Sequence, residues 1–377
     1  MEKEENIAGK AVGGADRHRE ALEAWMRRNL PEHADLGVPV VDIPRSTGFS
    51  NETVVFSAHW SEAGKAVEKR FVARIEQEDG GLFPDQTPQC PVSVDVQRRM
   101  MQLVAEREVA PVPRVVAYEA ERDVLGRPFF VMEYVDGEIP GDVPLYTEEG
   151  FLVDRAGPAE RERLVWDGLD HMIALGRIDW REAGLDWLDA SGDGRPGLSA
   201  QLALYRSYVT RELDGRTHPV LEACLDWLEH KAPDDASAPV GVSWGDARIG
   251  NMIWKDYRCV GVLDWEAAAL LPAEADLGWW MMYDRMAFDD KGIERLAGYP
   301  DREAMLARWE AATGRSPVGG VDYWEIFAAM RFDAIMIRLG DRLVKRGYLP
   351  PEGSIAIENG TTEAVARLLA GQGVQVG

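Results

Sequence analysis

The most informative part of the sequence is the segment VGVSWGDARIGNMIWKDYRCVGVLDWE, which occupies residues 240–266. Two short β-like runs, Met252–Trp254 and Cys259–Leu263, lie on either side of the polar tetrapeptide Lys-Asp-Tyr-Arg. Apolar runs of this length around a polar tetrapeptide are typical of a β-hairpin. The segment therefore predicts two antiparallel strands joined by a turn at residues 255–258.

This hairpin is expected to bring three polar side chains together. Asp246 and Asn251 are five residues apart, and Asp264 lies thirteen residues beyond Asn251. Pairing centred on the turn places Trp254 opposite Cys259. The same pairing returns Asp264 to within about two positions of Asn251. A carboxylate and a carboxamide then converge at the strand ends, with a second carboxylate just upstream.

A set of this kind suits phosphoryl transfer. Mg²⁺ prefers carboxylate and amide oxygens, so Asn251 and Asp264 are the predicted metal ligands. Another carboxylate must orient an attacking hydroxyl and accept its proton, and we assign Asp246 to that role. Arg248 is predicted to neutralise charge on the transferred phosphoryl group. Taken singly, Asp246, Asn251 and Asp264 would each be interpreted as turn or cap residues, so the functional interpretation depends on their combination.

The composition restricts the class of protein. The 377 residues, 46% of them hydrophobic, are enough for two domains or one bilobal unit with a sizeable core. The net charge of −23 disfavours nucleic acid as a partner. The three cysteines are far apart and lack metal-site spacing, which fits a reducing compartment. Neither an apolar signal segment nor a membrane-spanning run is evident, so we expect a cytoplasmic protein.

Three segments, in this order, resemble the aminoglycoside phosphotransferase and choline kinase family. Residues 243–251, SWGDARIGN, resemble its catalytic loop, and residues 262–266, VLDWE, resemble its metal-binding segment. Residues 275–277, ADL, are similar to the acidic turn whose Asp, here Asp276, usually braces the catalytic loop. Most members carry His where this sequence has Trp244. Trp at this place resembles the branch that includes kinase-like domains fused to acyl-CoA dehydrogenases.

The resemblance implies an α+β, bilobal, protein-kinase-like fold with a small antiparallel-sheet N-lobe and a mostly helical C-lobe. The sequence agrees with this division. Strand-like runs and one main helix occupy the first third, a connector rich in Gly and Pro follows from Asp136, and helical patterns dominate the remainder. We therefore predict an N-terminal lobe over residues 1–134. Residues 135–377 are predicted to form the C-terminal lobe, with the catalytic hairpin and the substrate site.

The resemblance also implies an ATP site in the N-terminal lobe. A turn between two predicted strands would approach the phosphates through its backbone N–H groups. Arg74 would bind the α- and β-phosphates where most members have Lys. The strand before the connector would meet adenine, with Met132 as gatekeeper and backbone groups at Glu133 and Val135 as contacts. The turn residues are Thr47, Gly48, Phe49, Ser50 and Asn51.

The substrate and the activity each have alternatives. Glu266, Trp279 and Trp280 are candidate substrate contacts, although core packing is the simpler role for both tryptophans. A cationic, aminoglycoside-like acceptor suits the acidic charge, whereas a hydroxylated acyl thioester suits Trp244 and Arg74. An active small-molecule kinase is the first hypothesis. A non-catalytic, pseudokinase-like module that binds a nucleotide or metabolite is the alternative. The sequence does not distinguish ATP from GTP and indicates no oligomeric state.

Overall fold

The computed structural model describes residues 18–42 and 51–376. The chain forms two compact units. The first contains the described residues up to Gly81, together with Val92–Glu106 and Val112–Asp136. The second contains Leu82–Pro91, Arg107–Pro111 and the chain from Gly137 onward. One antiparallel sheet dominates the first unit and helices dominate the second, so the predicted α+β class is confirmed.

The described residues of the first unit form one sheet and two helices. Its strands are β1 Gly37–Asp42, β2 Glu52–Glu62, β3 Lys65–Ile75, β4 Val115–Glu119 and β5 Phe129–Glu133. They form a five-stranded antiparallel sheet in the order β1-β2-β3-β5-β4. Helix α1 covers residues 18–29 and α2 covers Ser93–Glu106. The strands correspond to the strand-like runs that the sequence predicts, and α2 is the predicted main helix.

The buried face of this sheet packs against α1. Trp25 of the helix lies beside Phe129 of β5, with ring centroids 5.0 Å apart. Phe56 stacks on Phe71 of the neighbouring strand at 5.6 Å. All four side chains are almost completely buried. The Trp25 indole also donates to Glu119 of the edge strand β4 at 3.0 Å, because a buried indole N–H needs an acceptor.

The turn between β2 and β3 contains Ala63 and Gly64, with φ of 48° and 75°. Positive φ at both positions of a two-residue hairpin turn indicates type I′, in which Asn is preferred at the first position. We expect Ala63→Asn to raise the free energy of unfolding by about 0.5 kcal/mol, because Asn adopts the left-handed conformation at lower cost. Ala63→Val should lower it, since β-branched residues disfavour positive φ. Urea denaturation measures both, and an unchanged stability of Ala63→Asn would contradict the assigned turn type.

The second unit is built mainly from helices. They are α3 Phe151–Asp154, α4 Pro158–Leu175, α5 Leu198–Leu213, α6 Pro219–Lys231, α7 Glu274–Ala287, α8 Arg302–Thr313, α9 Val321–Lys345 and α10 Gly360–Gly371. The longest, α9, packs against α5, α6, α7 and α10 and so forms the centre of this unit. Within residues 18–42 and 51–376, no helix combines the length and the apolar character that a bilayer span requires.

Four short strands complete the second unit as two antiparallel pairs. They are β6 Val240–Ser243, β7 Met252–Lys255, β8 Arg258–Val262 and β9 Ala269–Pro272. β6 pairs with β9, and β7 pairs with β8. The sequence predicts one β-rich island over residues 240–263 and does not predict β9. Residues 267–272, AAALLP, have no alternation that would distinguish a strand from the start of a helix.

The β7–β8 hairpin has the predicted turn but a modified register. Asp256 and Tyr257 occupy the turn with φ of 51° and 59°, which is again the type I′ geometry. Trp254 pairs with Cys259 as predicted. A β-bulge between Ile253 and Trp254 then shifts the following pairs by one residue. The end of β8 is therefore displaced by one position relative to a regular hairpin.

Candidate active site

The predicted catalytic loop, residues 243–251, is held at its start by the carboxylate of Asp276 in the first turn of α7. Asp276 Oδ1 accepts from the Ser243 hydroxyl at 2.7 Å and from the Gly245 N–H at 2.9 Å. Its Oδ2 accepts from the Trp244 N–H at 2.7 Å. Burial raises the pKa of Asp276, and these hydrogen bonds oppose that rise. One buried carboxylate thus fixes three successive residues of the loop.

Gly245 gives the loop its sharp change of direction. Its φ is 89°, in the left-handed region that favours glycine. A Cβ atom at this position would overlap the backbone carbonyl of Ala267. Any side chain at position 245 would therefore displace the backbone that carries Asp246.

Trp244, the departure from the family pattern, connects the loop to the predicted metal-binding segment. Its indole nitrogen donates to the Leu263 carbonyl at 2.8 Å. Its ring lies 5.9 Å from that of Trp265, and both rings are fully buried. Leu263 directly precedes Asp264, so Trp244 fixes the backbone beside one of the predicted metal ligands.

Asp246, the predicted base, receives two hydrogen bonds on one oxygen. The Trp279 indole nitrogen donates to Oδ1 at 2.8 Å, and Arg248 Nε donates to the same atom at 3.2 Å. The Asp246 side chain is 15% exposed. Burial raises the pKa of its carboxyl group, the charge of Arg248 lowers it, and the charge of Asp264 raises it further. A carboxylate whose pKa is raised is a stronger base than an ordinary surface Asp.

Arg248 lies beside the predicted base and also binds Asp142. Its Nη1 donates to Asp142 Oδ1 at 2.5 Å, and its guanidinium carbon is 4.8 Å from the Tyr283 ring centroid. The Arg248 side chain is 13% exposed. The guanidinium is therefore shared between Asp142 and Asp246, and its planar fork is held close to the base.

Asn251 and Asp264, the predicted metal ligands, lie at the open end of the hairpin. A regular hairpin centred on the turn would place Val262 opposite Asn251. Because of the bulge, Val262 pairs with Met252, the residue that follows Asn251. The Leu263 N–H donates to the Asn251 carbonyl at 2.9 Å instead. Asp264 is consequently only one residue beyond the partner of Asn251.

At this end of the hairpin, Asn251 and Asp264 carry amide and carboxylate oxygens, which Mg²⁺ favours as ligands. Asn251 Nδ2 donates to the Asp246 carbonyl at 3.1 Å, so the amide nitrogen is engaged and the amide oxygen is the atom that could bind a metal. Asp264 has φ of 53°, a left-handed conformation that reorients the chain directly after β8. Over the described ranges, no cluster of three or more His, Cys, Asp and Glu side chains could hold a metal. The residues fit a Mg²⁺ ion that takes one or two protein oxygens and completes its shell with water and phosphate.

Aromatic side chains lie next to Asp246. The indole nitrogen of Trp279 donates to Asp246. The Trp279 ring centroid lies 5.9 Å from that of Tyr283 and 6.1 Å from that of Phe332. Tyr283 and Phe332 are themselves 5.8 Å apart. Trp279, a predicted substrate contact, therefore belongs to a three-ring cluster beside the predicted base.

The other two predicted substrate contacts have different surroundings. Trp280 is buried and its indole nitrogen donates to Met305 Sδ of α8 at 3.3 Å. It thus packs between α7 and α8, away from the hydrogen bonds of the catalytic loop. Glu266 is half-buried and lies two residues after Asp264.

Residues 44–311 match the sequence profile described as the phosphotransferase enzyme family, APH. The chain belongs to this family. A candidate aminoglycoside phosphotransferase from Ralstonia eutropha has a TM-score of 0.65 and 22% identity over 93% of this chain and 95% of that chain. The GDP and kanamycin complex of APH(2″)-IIIa has a TM-score of 0.55 and 14% identity, over 92% of this chain and 97% of that chain. The shared fold confirms the predicted protein-kinase-like class.

The curated relatives of this APH-family chain are much longer proteins. Acyl-CoA dehydrogenase family member 11 of Rattus norvegicus is 25% identical over 233 residues, which are 59% of this chain and 28% of the relative. Acyl-CoA dehydrogenase family member 10 of Mus musculus is 23% identical over 329 residues, which are 84% of this chain and 28% of the relative. The chain thus spans less than a third of these two relatives. The predicted resemblance to the acyl-CoA-dehydrogenase-associated branch is confirmed.

The predicted phosphate-binding residues of the APH family lie in the first unit. Arg74, on β3, donates to the Thr53 hydroxyl at 2.8 Å. Asn51 is fully buried and accepts from the Ser93 hydroxyl at 3.2 Å. The remaining predicted turn residues lie outside the described residues: Thr47, Gly48, Phe49 and Ser50.

The predicted adenine contacts lie at the end of β5. Met132 is buried in the sheet. The Glu133 N–H donates to the Arg114 carbonyl at 2.9 Å, and the Glu133 carboxylate accepts from the Arg114 guanidinium at 2.6 Å. Val135 follows β5, and in the part of the chain described here its N–H and carbonyl make no hydrogen bond. The backbone of Val135 is therefore better suited to a purine edge than the N–H of Glu133.

Sequence reasoning did not identify Asp142, Tyr283 or Arg331 as parts of this APH-type site. Asp142 and Tyr283 contact Arg248, as described above. Arg331 of α9 donates through Nη2 to the Gly245 carbonyl at 3.1 Å. Arg331 is one of four charged residues buried along α9, with Glu325, Asp333 and Arg342, so the helical pattern alone does not single it out. Asp142 lies in a loop, where no periodicity distinguishes it from other polar residues.

Proposed function

We propose that this protein is an ATP- and Mg²⁺-dependent kinase that transfers the γ-phosphoryl group to a hydroxyl or amine of a small molecule. The observation that carries the proposal is the convergence of Asp246, Asn251 and Asp264 in one loop and hairpin of the second unit. Membership of the phosphotransferase family supports the reaction class.

In this proposal Asp246 is the base. The acceptor oxygen attacks the γ-phosphorus, the bond from that phosphorus to the bridging oxygen breaks, and ADP leaves. The proton of the acceptor hydroxyl passes to Asp246. Because Oδ1 already accepts from Trp279 and Arg248, Oδ2 is the oxygen better placed to receive that proton. Arg248 would neutralise charge on the transferred group.

The metal and the nucleotide would be held by different parts of the chain. Asn251 and Asp264 would hold Mg²⁺, which neutralises charge on the nucleotide phosphates when bound. In the first unit, Arg74 would bind phosphate and the Val135 backbone would bind adenine. GDP in the APH(2″)-IIIa complex is a reason to test GTP beside ATP.

For the acceptor, we propose a hydroxylated acyl thioester as the first class to test. The ring cluster of Trp279, Tyr283 and Phe332 gives the surroundings of Asp246 an apolar wall. Asp142, an acidic group beside this wall, is already paired with Arg248 and is less available to a polycation. The names of the curated relatives also favour an acyl thioester. The −23 net charge supports the alternative, an aminoglycoside.

The nucleotide site is tested by thermal shift with Mg²⁺ alone, MgATP and MgGTP. A ligand that binds only the folded state at a hundredfold excess over Kd stabilises by about 2.7 kcal/mol, which corresponds to a rise in Tm of roughly 5 °C. We expect this rise with one nucleotide in the presence of Mg²⁺, and its loss in Asp264→Ala, because a predicted metal ligand is removed. Asp256→Ala, in the exposed turn of the same hairpin, should keep the rise.

Two further outcomes decide between the hypotheses. No rise with either nucleotide would favour the non-catalytic, pseudokinase-like alternative. If a nucleotide binds, release of ADP is then measured with hydroxyacyl thioesters that differ in the position of the hydroxyl, and with kanamycin. Release with kanamycin alone would reject the proposed acceptor class while leaving the kinase assignment in place.

A further inference from the structure

A cavity of about 340 Å³ lies in the second unit, and its lining contains none of the residues predicted for catalysis, metal, nucleotide or substrate. The cavity is bounded by the end of α4 and the loop that follows it, by the start of β6, and by the loop after α8. Small-molecule sites have volumes of roughly 300–1,000 Å³. The cavity is therefore large enough for a compact ligand.

Three arginine side chains line this cavity: Arg177, Arg181 and Arg315. Arg315 pairs with both carboxylate oxygens of Glu274. Within the described part of the chain, Arg177 and Arg181 form no ion pair: Arg177 donates to a backbone carbonyl, and the Arg181 guanidinium carbon lies 4.1 Å from the Trp180 ring centroid. The chain has 65 acidic and 42 basic residues, so two guanidinium groups without a carboxylate in one cavity are a local exception. Both are available to an anion.

The carboxylate in the lining is already engaged by the backbone. It belongs to Asp179, whose Oδ1 accepts from the Arg181 N–H at 2.9 Å and from the Glu182 N–H at 3.1 Å. These two hydrogen bonds hold the turn that carries Arg181. Three guanidinium groups against this one carboxylate leave the lining with an excess of positive charge.

Trp180 adds a hydrogen-bond donor to the lining. The side chain is 3% exposed, and its indole N–H has no hydrogen-bond partner among the described residues. A buried indole N–H usually has an acceptor, so this one fits a ligand oxygen in the cavity. Ile173, Ile178 and Val240 contribute apolar surface beside it. The cavity thus combines guanidinium charge, an indole donor and an apolar wall.

We propose that this cavity binds a small organic phosphate, a molecule that joins a phosphate monoester to an organic part about the size of a nucleoside. Planar guanidinium groups bind phosphate oxygens bidentately, which assigns the phosphate to Arg177 and Arg181. The Trp180 N–H donates to a ligand oxygen, and the apolar wall packs against the organic part. The site is additional to the proposed kinase site and shares no residue with it.

The test uses AMP, adenosine and inorganic phosphate as probes, without Mg²⁺ or acceptor. In protein carrying ¹⁵N-labelled tryptophan, the Trp180 indole resonance is identified by its absence in Trp180→Phe. We expect AMP to shift this resonance with saturation, because the ligand approaches the indole N–H. Adenosine should leave it in place, since it lacks the charge that the arginines bind. Inorganic phosphate should bind about tenfold more weakly than AMP, because it makes no contact with the apolar wall.

Variants of the two arginines make the result specific. Arg177→Met and Arg181→Met should each raise the Kd for AMP about tenfold, because each removes a charge-assisted hydrogen bond. Both side chains are exposed enough for the protein to keep its fold. Arg195→Met is the matched control: Arg195 pairs with Asp193 and does not line this cavity, so its removal should leave the Kd unchanged.

Four outcomes would overturn the inference: no AMP-dependent shift of the Trp180 resonance, an equal effect of adenosine, equal affinities for AMP and inorganic phosphate, or wild-type affinity in both arginine variants. The titration needs neither MgATP nor turnover. A protein that binds AMP at Trp180 but shows no stabilisation by a nucleotide with Mg²⁺ would count against the proposed function alone.

Discussion

Asp246→Asn is expected to lower the turnover number about a thousandfold while leaving nucleotide affinity nearly unchanged. The amide keeps the size of the carboxylate and can still accept from the Trp279 indole, but it cannot take a proton from the acceptor. The metal ligands Asn251 and Asp264 are untouched, so the thermal shift with Mg²⁺ and nucleotide should persist. Steady-state release of ADP and thermal shift on the same preparation measure the two properties.

The matched control for this prediction is Asp256→Asn. Asp256 is exposed in the turn of the same hairpin, and its left-handed φ of 51° is well suited to Asn. The Asp256→Asn variant should therefore keep full turnover, and its free energy of unfolding should equal or exceed that of the wild type. Asp246→Asn with wild-type turnover would show that another group accepts the proton, or that none is needed.

Asp276→Ala is expected to have the largest effect on folding and on activity together. It removes the acceptor of three hydrogen bonds inside the protein and leaves the donors of Ser243, Trp244 and Gly245 unsatisfied. Unsatisfied buried donors cost about 1–3 kcal/mol each, so we expect the free energy of unfolding to fall by about 4 kcal/mol. Urea denaturation measures the loss, and hydrogen exchange at the Gly245 amide reports the loop directly.

A second buried carboxylate of α7 separates lost stability from lost function. Asp284 is 2% exposed and accepts from Arg295 at 2.7 Å and 2.9 Å, with no hydrogen bond to the catalytic loop. Asp284→Ala should cost about 3 kcal/mol and yet retain turnover at a temperature where the protein is folded. Asp276→Ala should be inactive at that temperature. Equal turnover of the two variants would mean that Asp276 contributes stability only.

The fold was predictable from the sequence where local pattern and tertiary structure agree. The β-like runs in the first third of the sequence, with the small polar residues and Gly that separate them, predicted the sheet of the first unit. Apolar residues that recur with a period of 3.6 predicted most helices of the second unit. β9 was missed because its run of apolar residues carries no period, and its pairing with β6 depends on contacts distant in sequence.

The candidate site was predictable to the extent that its residues share one short segment. Asp246, Asn251 and Asp264 lie within nineteen positions of one another, so a single hairpin relates them. The supports of the site were not predictable in this way. Asp142 is 106 residues from Arg248 and Arg331 is 86 residues from Gly245, and only the packing of the connector and of α9 brings them to the loop. The bulge was missed because its unpaired residue, Val260, continues the apolar run of β8 without a break.

The bulge in the β7–β8 hairpin has a consequence for how the sequence can change in length. The strand pairs and one unpaired residue of the bulge fix the number of residues between Asn251 and Asp264. A single insertion or deletion within either strand would therefore turn one of these two side chains to the opposite face of the hairpin. Only the tip, at Asp256 and Tyr257, can accept additional residues without moving the two ends. In a comparison of related chains, length variation should be confined to this tip, and the segments on either side of it should align without gaps.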